Sequence, residues 1–302
     1  MRNHAPCTIY HVQCTMYHVQ LRKRGLAFLA ALILQSSFFI LQSSAQSDDF
    51  GLDFSLEAEK KLCKGVDFSL EGEARTQDNT RKMERWTVGG TLGVRLFQNA
   101  SKTFSLKASA GWKYMWKYNL TETKDKYDTA MDGDGNPVEY YEGYNETLAS
   151  WRHRHRTSVS LAANYKPNKR WSFQLKETVQ YTHFCKDSTD VNKYRLEDED
   201  DPTSPLYLKK TEGKTYRAKD KTVLRSRLTA QYDIRNCKLD PYVSVDYGCG
   251  LNYTTNKWKF TVGTDYKLTK QSKFNLFYRY TTEDDDEDPN GHLIGVGYSF
   301  KF

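Results

Sequence analysis

The residues most able to do chemistry in this sequence are arginines, and their spacing is regular. "WRHRHR" places Arg152, Arg154 and Arg156 two apart, and Arg225 and Arg227 repeat that spacing further on. On a β-strand, residues two apart share one face. A guanidinium presents a fixed fork of donors that suits carboxylates and phosphates, so such a column would attract anions. Arg95 and Arg279 have the parity to join it, while acids gather near the start as Asp53, Glu57, Glu59, Asp67, Glu71 and Glu73. A second chemistry is nucleophilic: antiparallel pairing across "PNK" brings His153 or His155 beside His183, close to Cys185. A histidine and a thiol can form a nucleophile pair, but no serine or carboxylate of matching parity completes a triad. "DGDGNPVE" begins like a calcium loop with Asp132, Asp134 and Asn136, yet Pro137 stands where the loop needs glycine and Gly143 where it needs glutamate. It is read as a turn. The cysteines show neither paired spacing nor a zinc pattern, and no metal or other cofactor is expected.

The elements that carry these residues read as strands. From Trp258 to Leu268 the large residues Trp258, Phe260, Val262, Tyr266 and Leu268 alternate with polar ones, and Phe104 to Leu120 alternates for longer. Eleven segments follow this rule: 50–61, 66–76, 84–97, 103–122, 149–166, 171–186, 217–235, 241–253, 257–268, 274–283 and 292–302. Short turns ("CKG", "QNASK", "PNK", "NCKLD", "TKQSK") alternate with longer polar connections at 123–148, 187–216 and 284–291. Mean hydropathy of −0.78 argues against a bundle of membrane helices, whereas 21 tyrosines favour strands. The net charge of +7 is dispersed among acids, so no nucleic-acid partner is expected.

Residues 1–45 read as a leader with a secretory signal peptide, and 46–302 as one barrel domain. Arg22, Lys23 and Arg24 precede an apolar run from Leu26, and Ser43 and Ala45 suit cleavage after Ala45. "QSS" interrupts the run before it reaches the ~20 residues of a spanning helix. The tandem "CTIYHVQ"/"CTMYHVQ" ahead of it reads as translated upstream DNA, which puts the true start at Met16.

Alternation also fits a soluble sandwich, so the choice of fold rests on the combination. Short turns face long loops, and Trp86, Trp151, Trp171 and Trp258 lie near strand ends. The last strand, "HLIGVGYSFKF", finishes on an aromatic. Together these predict a closed antiparallel transmembrane β-barrel, in which every backbone group is paired without an edge. Ten to twelve strands are expected, twelve being favoured because bacterial barrels normally have an even number.

The signal peptide and the terminal "GYSFKF" resemble those of Gram-negative outer-membrane β-barrels. The whole mature chain resembles an uncharacterised family of small barrels with endings of the kind "PYVSVDY…YKLTKQSKFNLFYRY…HLIGVGYSFKF". That resemblance implies location in the cell outer membrane and contact with outer-membrane lipid and lipopolysaccharide. It also implies an assembly signal, read by the barrel-assembly machinery, in Tyr298, Phe300 and Phe302. The family brings no known activity. With the apolar face toward lipid, Arg152, Arg154, Arg156, Arg225, Arg227 and Arg279 line the lumen, opposed by Glu57, Glu71 and Glu73. By analogy with monomeric porins for acidic oligosaccharides, this implies a channel for an anionic small solute. The alternative is a structural or surface-interaction barrel whose charges cross-pair and close the lumen. An outer-leaflet lipid hydrolase around His183 is the outsider, and no enzyme is expected. Glu177 has outward parity near mid-strand, which marks a bulge or a protein contact.

Overall fold

The computed structural model describes residues 49–131, 137–198, 204–251, 256–283 and 291–302. The leader, the calcium-like residues Asp132–Asn136 and the acidic run Asp284–Asp288 lie outside them. Among these described residues fifteen strands follow one another: β1 (Asp49–Cys63), β2 (Val66–Gln77), β3 (Lys82–Gln98), β4 (Phe104–Asn119), β5 (Glu122–Met131), β6 (Pro137–Thr147), β7 (Ser150–Tyr165), β8 (Trp171–Phe184), β9 (Asp187–Leu196), β10 (Leu206–Tyr216), β11 (Lys219–Tyr232), β12 (Leu239–Gly250), β13 (Asn256–Lys267), β14 (Ser272–Glu283) and β15 (Gly291–Lys301).

Eleven of them close a barrel in the order β1-β15-β14-β13-β12-β11-β8-β7-β4-β3-β2. The count lies within the expected range, but the even-number preference for twelve gives way. An odd number of up-and-down strands leaves the first and last running the same way, and β1 indeed pairs parallel with β15, from Asp49↔Gly291 to Glu59↔Lys301. The seam is pinned where the Phe302 N–H donates to the Glu59 carbonyl at 2.9 Å and Lys301 pairs with the Glu59 carboxylate at 2.6 Å. All other barrel pairings are antiparallel. The barrel strands run from 11 residues in β15 to 17 in β3, enough for each to cross a bilayer at a tilt.

The alternation sorts as parity requires. Val159 is 60% exposed on the outside, and Leu56, Val88, Leu161, Leu175, Leu228, Val243, Val262 and Leu276 share that outer band. Inside, Met115 is 2% exposed. Aromatic pairs flank the band at both heights. Tyr118–Trp151 and Tyr247–Trp258 sit toward the long loops, whereas Phe97–Phe104, Trp171–Tyr232 and Phe274–Tyr298 sit toward the short turns. Two aromatic girdles around an apolar belt are the surface of a membrane barrel.

Segments 123–148 and 187–216, read as loops, instead contain β5, β6, β9 and β10, a four-stranded sheet in the order β10-β9-β6-β5. Few apolar residues announce it. Tyr144 stacks on Tyr194 at 4.7 Å, Arg195 pairs with Glu142 at 2.8 Å, and Val191 and Leu196 are buried. At Gly143 the backbone takes φ 141° against Tyr194, a conformation that excludes a side chain.

Candidate functional site: the charged lumen

The outward parity of Trp151, Val159, Leu161 and Tyr165 turns Arg152, Arg154 and Arg156 of β7 into the lumen. Arg156 Nε donates to Thr182 Oγ1 on β8 at 3.3 Å. The Arg154 guanidinium lies 4.3 Å over the ring of Phe184, itself buried, and that of Arg152 lies 4.0 Å over Tyr216. These cation–π contacts fix the two guanidinium forks against aromatic rings. Arg225 and Arg227 of β11 face inward too, but both pair with Asp246 of β12, at 2.7 and 2.5 Å. Arg279 of β14 donates to Thr261 Oγ1 at 3.3 Å and stacks on Phe277 at 4.7 Å.

The sequence left open whether the acids of the first strands would neutralise the β7 column. They are met by other bases. Asp53 on β1 pairs with Arg75 on β2 at 2.6 Å, and Glu73 pairs with Arg75 and Arg85 at 3.2 and 2.7 Å. Glu84 occupies the irregularity where the β2–β3 register shifts, and it contacts both arginines, at 3.7 and 3.5 Å. Asp67 pairs with Lys107 at 2.6 Å, and Glu71 with Lys113. The last two pairs span β2 to β4 across the intervening β3, and glycine makes the crossing possible. At Gly89 an added Cβ would lie 2.6 Å from Lys113 Cγ, and at Gly93 it would collide with the Lys107 side chain and Asp67. Glu57, toward the short-turn end, is exposed.

The described ion pairs therefore leave Arg152, Arg156 and Lys176 without a carboxylate partner. The lumen divides into a compensated wall on β1–β4 and a cationic wall on β7–β8, with Asp246 holding two arginines on β11. Arg75 and Arg85 were not singled out from sequence. The signal was there: Trp86 and Val88 point outward, so parity turns Arg85 inward, as Glu71 and Glu73 do Arg75.

Below the column, at the short-turn end, the lumen widens into a cavity of about 510 Å³ bordered by β3, β4, β7, β8 and β11. Arg95 lies at its rim, not in the column.

Outside the barrel, His155 stands opposite His183 in the β7–β8 register, as the pairing across "PNK" predicts. A carboxylate of matching facing does exist, contrary to the sequence reading: Asp220 Oδ1 lies 2.8 Å from His183 Nδ1. It was missed because it arrives from β11, across a register set only by the fold. Cys185 contributes a backbone N–H to the His153 carbonyl. Glu177 marks no bulge, since the β8 register runs unbroken through it. Its carboxylate accepts a hydrogen bond from Ser226 Oγ at 2.6 Å. Tyr298 packs on Phe274 at 5.1 Å, and Phe300 on Phe302 edge to face at 4.7 Å, around the seam.

The fold and its charged interior define a closed transmembrane β-barrel. The chain belongs to the family described as "Protein of unknown function (DUF2490)", whose model matches residues 50–292. No curated protein matches it. Among solved structures it is similar to the β domain of the Bordetella autotransporter BrkA, with 13% identity, coverage of 80% of this chain and 86% of that one, and a TM-score of 0.42. It is also similar to a Pseudomonas aeruginosa FadL homologue, with 15% identity, 74% and 58% coverage and a TM-score of 0.35. An anion-selective porin from Comamonas acidovorans matches at 10% identity, with 80% and 83% coverage and a TM-score of 0.22.

Proposed function

We propose that the chain is an integral barrel of the Gram-negative outer membrane, without enzymatic activity, whose lumen favours anionic solutes. One observation carries the reading. Asp53, Glu73, Asp67 and Glu71 are met by Arg75, Arg85, Lys107 and Lys113, so these acids do not cancel Arg152 and Arg156 on β7. Cations on the wall of a lumen lower the energy of an anion there and raise that of a cation. The His183–Asp220 pair does not favour a hydrolase, because among the described residues His183 is hydrogen-bonded to Asp220 and not to Cys185 or to a hydroxyl that it would have to activate.

The test is a planar-bilayer recording of the refolded full chain in a salt gradient, alongside fractionation of cell membranes. The expected result is a reversal potential set by the anion and a protein that fractionates with the outer membrane. A second reading, a barrel with a closed lumen and a structural role, draws on the burial of Met115, Asp53 and Asp246 in the interior. Folded protein that passes no current favours it.

A further inference from the structure

The cavity at the short-turn end differs in kind from the column above it. Its rim carries three cations, Arg95, Lys102 and Lys166, all exposed, and its floor is neutral, with side-chain amides and hydroxyls. No carboxylate and no apolar side chain lines it. Small-molecule pockets are usually lined mainly by apolar and aromatic groups, so this lining selects against an apolar ligand. A simple inorganic anion would use the rim and leave the floor idle.

The floor is already arranged. Gln174 Nε2 on β8 donates to Asn164 Oδ1 on β7 at 2.8 Å, which leaves the Asn164 N–H groups and the Gln174 carbonyl oxygen aimed at no other described side chain. Gln231 Nε2 on β11 donates to Asp265 at 3.2 Å, which leaves its carbonyl oxygen. The floor therefore offers both donors and acceptors, and a ligand that meets them needs groups that both donate and accept. Hydroxyls do this. The rim adds charge-assisted bonds to an anionic group at one end of the same molecule. The volume of about 510 Å³ lies within the range of about 300–1,000 Å³ typical of small-molecule sites.

We propose that this cavity binds a polyhydroxylated anion, a sugar carrying a carboxylate or a phosphate, with its charge at the Arg95–Lys102–Lys166 rim and its hydroxyls on the Asn164–Gln174–Gln231 floor. The inference rests on the reading of the lumen as anion-favouring and narrows its solute class. It gives the two halves of the β7 wall different tasks: the arginine column concentrates anions, and the cavity discriminates among them by their hydroxyls.

Calorimetric titration of the refolded full chain in detergent micelles tests it with four probes: glucuronate, glucose 6-phosphate, glucose and acetate. The expected result is that glucuronate, glucose 6-phosphate or both bind at least tenfold more tightly than glucose and acetate. The order of the two names the anionic group. Lys102→Gln with Lys166→Gln, both at exposed positions, should weaken that ligand at least fivefold while leaving heat-modifiable gel mobility unchanged. Gln174→Leu should reduce its advantage over acetate. Binding of the sugar anions no tighter than that of acetate or glucose overturns the proposal, as does binding indifferent to the lysine pair. Bilayer recording of the same samples separates this site from the passage reading. Hydroxyl-selective binding without current keeps the site and removes passage, whereas anion current without sugar-anion preference removes the site and keeps passage.

Discussion

Replacing Arg152, Arg154 and Arg156 together with glutamine should shift the lumen toward cations by an amount that can be worked out. An ion on the barrel axis passes roughly 10 Å from each guanidinium, and at the dielectric constant of water each contributes about 0.4 kcal/mol. Three contribute about 1.2 kcal/mol unscreened, and about 0.4 kcal/mol near 0.1 M salt, where the Debye length matches that distance, which is roughly a twofold change in anion partition with the reciprocal change for a cation. The compensated wall should not move, because Asp53, Glu73 and Glu84 keep Arg75 and Arg85. Glutamine retains part of each stem, so Phe184 and Tyr216 lose a cation–π partner but remain covered. The assay is the reversal potential across a tenfold potassium chloride gradient centred near 0.1 M, repeated near 1 M. The Debye length falls from about 10 Å to about 3 Å between those concentrations, so the difference between wild type and variant should shrink at high salt. A triple variant that folds, conducts and keeps the wild-type reversal potential at low salt would refute the argument that the β7 arginines set the charge preference of the lumen.

Other expectations follow from particular contacts. Arg75→Met strands the buried Asp53 and should destabilise the barrel by about 3 kcal/mol in denaturant-induced unfolding, whereas Arg75→Met with Asp53→Leu should recover most of that loss. Glu177→Leu removes a carboxylate from the outer apolar band, where even Arg or Lys costs ~2–4 kcal/mol and an acid less. It should raise stability in vesicles by roughly 1 kcal/mol, and a loss of stability would mean that Glu177 has a partner in the membrane. In the second sheet, hydrogen bonds from Lys193 and Lys210 hold the Glu212 carboxyl down at about 2 from an ordinary 4.5. A depressed carboxylate stabilises the fold above its unfolded pKa, and that contribution is lost as pH falls from about 4.5 through about 2. The protection of β9–β10 amides, after correction for the intrinsic exchange rate at each pH, should therefore fall over that window in wild type. In Glu212→Gln that protection should already be lower at neutral pH and should fall less across the window.

The sequence by itself determined the faces. A period of two in side-chain direction leaves little freedom once one face must meet lipid, so the eleven segments, the inward column on β7 and the aromatic girdles were all legible. The sheet of β5, β6, β9 and β10 was not, because it is held by tyrosine stacking and ion pairs such as Arg195–Glu142 and lacks an apolar stripe. Eleven segments already implied a first strand parallel to the last, but a count of strands does not say whether an odd number is tolerated, and only the β1–β15 register does. The tertiary structure alone decided which charge answers which. Parity puts Glu71, Lys113 and Arg156 on one wall surface, but partner choice depends on the order of strands around the ring and on their stagger. It depends also on Gly89 and Gly93, whose missing side chains let lysines of β4 reach acids of β2 across β3. Those two crossings, with Arg75 and Arg85 beside them, engage the acids of β1 and β2 before they can answer Arg152 and Arg156 on β7.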